Sequence, residues 1–145
     1  MTHKNIDPYD FSEASDQALD WAAKEQKATG GTVQVLHVIN PIPLAAVTMP
    51  AVAPPPSQLD IEETRDAVRR AMTLHGLEGD PEIILSPAPG EATVRTADAS
   101  GCDLVVMGTH GRGGISRAVL GSVADYVVRH AHCPVLTLRA HAHAA

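Results

Sequence analysis

The chain has 145 residues, 44% hydrophobic and 19% charged, the length and apolar content of one domain with its own core. A net charge of −6 removes any general attraction for nucleic acid or anionic lipid, and aromatics at 3% are too few for a base-stacking platform. The two cysteines, Cys102 and Cys133, make no CxxC pair and no disulfide framework. They read as small buried thiols in a reducing cytoplasm, the expected location in the absence of an apolar leader region.

In chain order, short aliphatic runs alternate with longer amphipathic ones, the pattern of an α/β fold on a parallel sheet. The first strand of that alternation falls on His3–Asp7, which has one apolar residue. Asn5 and Asp7 in a central strand would bury polar groups at a cost, so a short or poorly ordered strand is expected there. A helix follows from about Ser15 to Thr29, with Ser12 as a cap, Ala18, Leu19, Ala22 and Ala23 as its apolar face, and Gly30-Gly31 as its stop. Val33–Ile39 is the next strand. Asn40–Pro56 holds six prolines and no charge, and reads as a long loop, either a mobile connection or a lid over a ligand site.

A second helix begins after Ser57, where Asp60 completes a weak capping box. Ile61, Thr64, Val68, Ala71 and Met72 repeat at helical spacing up to the stop at Gly76. Then come a strand at Glu82–Leu85, a helix over about Gly90–Ala99 and a strand at Asp103–Met107. A helix carrying Leu120, Val123, Ala124, Val127 and Val128 ends near His130 and is followed by a strand at Val135–Leu138. The tail after Arg139 is expected to fray.

Six of the eleven glycines fall between Gly101 and Gly121, five of them after the aliphatic run Leu104–Met107. A buried parallel strand that runs through a glycine-rich loop into a helix makes an anion site, with close backbone approach, outward amides and a favourable helix dipole. Gly121 would cost about 1 kcal/mol inside a helix, which places the helix start at Gly121–Ser122. The amides of Gly121, Ser122 and Val123 are then expected to be open donors, joined by the Ser122 hydroxyl. The loop has neither GK[ST] nor GxGxxG, so it is neither a Walker P-loop nor a dinucleotide fingerprint. Arg112 and His110 stand in the loop as a possible cation and donor for phosphate.

The spacing Gly108-x2-Gly111-x9-Gly121-Ser122 resembles the nucleotide motif of the universal stress protein family, in its ATP-binding subtype. The flanks resemble it too: Asp103-Leu-Val-Val-Met-Gly, Arg129-His-Ala-His-Cys-Pro-Val-Leu-Thr-Leu, Asp10-Phe-Ser-Glu-Ala-Ser, Ala18-Leu-Asp-Trp-Ala22 and Leu36-His-Val38. The resemblance implies a single domain over residues 1–145, with an open five-stranded parallel sheet in order 3-2-1-4-5 and helices on both faces. This is the adenine nucleotide alpha hydrolase-like arrangement. It implies ATP, with Mg2+, across the carboxyl ends of strands one, two and four. Asp10 would meet the ribose or adenine side, the Val38 backbone the adenine, and Met107 and Gly108 the base and ribose. Gly111, Gly121, Ser122 and Val123 would hold the phosphates. It also implies homodimers through the last strand, Val135 to Arg139.

No nucleophile elbow and no positioned acid–base pair stands around the loop, so no catalytic residue is named. The eight histidines include HxH pairs at His130/His132 and His141/His143, without the three or four converging ligands of a metal site. The expectation is therefore a nucleotide-sensing regulator of the stress response, with unidentified protein partners, acting by ATP-dependent ordering of the Gly108–Gly121 loop. The alternatives are a slow ATP hydrolase or transferase, and a dimeric interaction module that has lost the nucleotide.

Overall fold

The computed structural model of the chain describes residues 3–42, 54–110 and 120–140. These form β1 (Lys4–Pro8), α1 (Glu13–Thr29), β2 (Thr32–Ile39), α2 (Gln58–Leu74), β3 (Glu82–Leu85), α3 (Pro89–Ser100), β4 (Leu104–Gly108), α4 (Ser122–His130) and β5 (Val135–Leu138). The five strands are all parallel, in order β3-β2-β1-β4-β5. The chain winds outward from β1 in both directions, with α1 and α2 packed in one core and α3 and α4 in the other.

Strand alternation divides the core in two. Ile6, Leu36, Val105 and Met107 point to the side where α3 and α4 supply Val94, Ala97, Ala124 and Val127. Tyr9 and Val35 point to the other side, against Leu19 and Ala23 of α1 and Val68 and Met72 of α2. The paucity of aromatics is met by aliphatic side chains that interlock on both faces.

The helix ends follow local chemistry. Ser12 caps α1 through its hydroxyl, which accepts the Ser15 N–H at 3.1 Å, and Gly30 closes the helix in the left-handed conformation at φ 72°. This cap lets α1 begin at Glu13, two residues before the expected start. Ser57 and Asp60 form a reciprocal capping box at α2. Gly121 caps α4 through its backbone alone, so that helix starts at Ser122.

β1 corrects the expectation of poor order. It is a short central strand, paired with β2 from Lys4 to Pro8 and with β4 at Asn5 and Ile6. Asn5 and Asp7 are buried in it, at 4% and 0% exposure. Backbone pairing on both sides holds the segment in the sheet despite its polar side chains. Most of the Pro-rich segment lies outside the described residues, as do the tail histidines His141 and His143.

Candidate functional site

A cleft of about 240 Å³ opens at the carboxyl ends of the strands, beside the seam between β1 and β4. There the strand order reverses, and open parallel sheets bind ligands at that position. Asp10, Val38, Met107, Gly108, Gly121, Ser122 and Val123 all line this one cleft. Gly111 and Arg112 lie outside the described residues. Among the described residues no Lys or Arg lines the cleft, so polar recognition there falls to backbone groups, hydroxyls, two histidines and Asp10.

Asp10 sits where β1 turns into α1. Its Oδ1 accepts the Ser12 N–H at 3.0 Å, while its own N–H points at Ser15 Oγ at 3.4 Å. Phe11 between them is held at φ 65°, a left-handed conformation uncommon for a side chain of that size. The Phe11 ring lies edge-on to Tyr9, with centroids 5.0 Å apart, and to His37, at 5.1 Å. Tyr9 does not crowd Asp10: its ring enters the α1–α2 core and its hydroxyl donates to Asp16 at 2.7 Å. The strained turn and the aromatic cluster together fix the carboxylate at the rim.

His37, on β2, donates from Nδ1 to the Tyr9 carbonyl at 2.7 Å. That bond ties the second strand to the turn after the first and leaves Nε2 as the acceptor of the neutral ring. Pro8, Tyr9, Ser15, Thr93, Thr109 and His110 also line the cleft. Thr93 was not legible as a site residue, because it projects from the middle of α3 and its helical spacing marks it only as half-buried. Thr109 does carry a sequence signal, as the first residue beyond β4.

Gly108 has a structural reason for being glycine that differs from ligand access. A Cβ there would lie 2.8 Å from Ala14 C, Ala14 Cβ and Ser15 N, so α1 can approach β4 only without it. Gly121 corrects the expectation of three open amides. Its N–H donates to the Thr109 carbonyl at 2.7 Å, and so is already used within the protein. Thr109 in turn donates its own N–H to the Leu138 carbonyl at 2.8 Å. The donors that α4 offers to the cleft are therefore at Ser122 and Val123, in its first turn, where no side chain caps the helix. His110 places Nδ1 3.0 Å from Thr109 Oγ1, and its buried Nε2 has no partner among the described residues.

Asp7 lies behind the site, three residues before Asp10. It pairs in register with Val35, whose side chain belongs to the α1–α2 core, and neither carboxyl oxygen has a hydrogen-bond partner among the described residues. Burial, and to a smaller extent the Asp10 charge, push its carboxyl well above the usual carboxylate range. The neutral acid is thus the form that suits this position.

A model of the universal stress protein family matches residues 1–139. The chain belongs to the universal stress protein family. A relative, universal stress protein MJ0531 of Methanocaldococcus jannaschii, is 31% identical over 139 residues, covering 94% of this chain and 81% of its own length. The solved structure of the protein MJ0577 has a TM-score of 0.74 at 26% identity and covers 99% of each chain. A structure of the universal stress protein from Archaeoglobus fulgidus in complex with dAMP has the same fold, with a TM-score of 0.65 at 22% identity over 95% of this chain and 98% of that one. The sheet order and two-sided helix layers of this universal stress protein are those expected from its motifs.

Proposed function

We propose that this universal stress protein binds an adenine nucleotide, ATP with Mg2+, in the cleft at the β1–β4 seam, and that it acts as a nucleotide-sensing regulator. The observation that carries the reading is the convergence, on one cleft, of the ends of β1, β2 and β4 with the first turn of α4, which no side chain caps. The dAMP complex of a protein with the same fold supports the ligand class. In this reading the Val38 backbone reads the adenine edge, and Asp10 accepts a ribose hydroxyl with Oδ2, since Oδ1 already accepts the Ser12 N–H. Met107 and Gly108 floor the base and sugar. The Ser122 and Val123 amides and the Ser122 hydroxyl receive phosphate, aided by the helix dipole. Gly111 and Arg112 belong to the same phosphate segment by sequence. Gly121 has a different part: its N–H is given to Thr109, and it sets the start of α4.

The proposed working unit is a cytoplasmic homodimer joined through the last strand. β5 is an edge strand, and edges in native proteins are paired, covered or charged.

Isothermal titration of the nucleotide-stripped protein with MgATP tests the reading. One site per chain at micromolar affinity is expected, with Val123→Pro weakening it about tenfold by deleting one amide where a helix tolerates proline. No heat and no thermal shift up to millimolar ATP would overturn the reading.

A further inference from the structure

Cys102 and Cys133 stand at the end of the sheet opposite the cleft, where β4 and β5 begin. Their sulfurs are 3.5 Å apart. Both side chains are partly buried against the core formed with α3 and α4. The backbone on either side is pinned. The Cys102 N–H donates to Ala97 O at 3.3 Å, the Asp103 N–H to Lys4 O at 2.8 Å, and the Val105 N–H to Pro134 O at 3.0 Å. Each cysteine is therefore one residue from a fixed ladder position, and the two side chains converge. A disulfide needs its sulfurs about 2.05 Å apart, so closure takes an approach of roughly 1.5 Å, within reach of side-chain rotation. Two half-buried thiols held this close are accessible to small oxidants and shielded from a second protein chain.

We propose that Cys102 and Cys133 form a reversible dithiol–disulfide site, oxidised by a peroxide or by a low-molecular-weight disulfide. Burial and the neighbouring Cys133 thiol push the Cys102 thiol up to about 12. With hydrogen peroxide, the thiolate of either cysteine takes one peroxide oxygen as the O–O bond breaks, giving a sulfenic acid. The hydroxide released picks up a proton to become water. The other cysteine then attacks the sulfenic sulfur as it gives up its proton, the S–S bond forms, and the sulfenic oxygen leaves with that proton as a second water. Two thiols and one peroxide give one disulfide and two waters; the sulfurs lose two electrons and the peroxide gains them. The bond joins residues 31 apart in sequence and encloses β4, the glycine segment and α4, so it constrains the unfolded chain across that whole stretch. The site is independent of the nucleotide reading.

The test uses the full chain, reduced, desalted, and exposed separately to oxidised glutathione and to hydrogen peroxide. Both thiols are expected to disappear together, with the intact mass falling by about 2 Da and the chain remaining monomeric on a non-reducing denaturing gel. Dithiothreitol is expected to restore both thiols, and the oxidised chain to melt on the order of 5–10 °C higher. In Cys102→Ser, Cys133 is expected to stop at the glutathione mixed disulfide, because the resolving thiol is gone. A stable glutathione adduct or sulfinic acid as the end product of the native chain, a disulfide between two chains, or two thiols that survive oxidised glutathione would each overturn the proposal.

Discussion

Asp7 and Gly108 show how single positions carry conflicting demands. Asp7 is fully buried without a partner among the described residues, and its carboxyl is raised by burial first and by Asp10 second. A raised carboxyl binds its proton more tightly in the folded than in the unfolded chain. Its favourable contribution is therefore complete below the ordinary carboxylate range and is lost as pH rises through the folded-state value. Asp7→Val, close to Asp in size, is expected to stabilise the protein at pH 7 by about 2 kcal/mol, the usual scale for an unpartnered buried polar group. In urea melts the gap between variant and native chain should widen from pH 4 upward. A gap that narrows with rising pH would show that Asp7 is ionised and paired in the folded protein. Gly108 meets a steric demand instead. Gly108→Ala sets a methyl 2.8 Å from the backbone of Ala14 and Ser15, which cannot step aside as a side-chain tip can. Overpacking of this kind is expected to lower stability by about 2 kcal/mol, as read by urea denaturation, with α1 displaced from β4.

At the scale of elements, the caps did most to make the sequence readable. Ser12, Gly30, Ser57 with Asp60, and Gly121 each announced a helix end in one or two letters, because unpaired backbone groups at helix ends have few chemical solutions. Ser12→Ala should cost about 1 kcal/mol in a urea melt by orphaning the Ser15 N–H. Its backbone N–H would still hold Asp10, so nucleotide affinity should change little. The aliphatic run of β4 and the Val- and Ile-rich β2 were equally plain. β1 was not: its place at the centre of the sheet is enforced by backbone pairing to β2 and β4, which hydrophobic patterning cannot report. The cleft was legible where it is made of strand ends and a helix start, since both are marked by local sequence. Thr93 and His37 enter it from elements whose sequence speaks only of burial. The use of the Gly121 amide by Thr109 was not legible either, because that bond joins residues distant in sequence and depends on tertiary placement.

At the scale of the whole molecule, the sheet has two margins, β3 and β5. The Val105 and Thr109 N–H groups donate to the carbonyls of Pro134 and Leu138, so the even-numbered groups of β5 face β4. The main-chain groups of Val135 and Thr137 then face outward, along the proposed dimer edge. Thr137→Pro would remove an outward N–H without touching the ladder to β4, and prolines are tolerated on edge strands. Light scattering is expected to report a dimer for the native protein and a folded monomer for this variant. A native monomer would overturn the proposed dimer, and a variant that still dimerises would place the interface elsewhere.

Thr109 gives away both of its main-chain groups, one to Leu138 at the margin of the sheet and the other to Gly121 at the head of α4. One residue therefore serves as a hinge pin between the edge where a second subunit would dock and the helix turn where a phosphate would rest. Neither can shift without pulling on the other. If pairing at the margin moves this pin, thermodynamic reciprocity requires that a loaded cleft strengthen or weaken subunit association by the same factor by which association alters loading. The difference in MgATP affinity between the native protein and Thr137→Pro is the measure of that exchange.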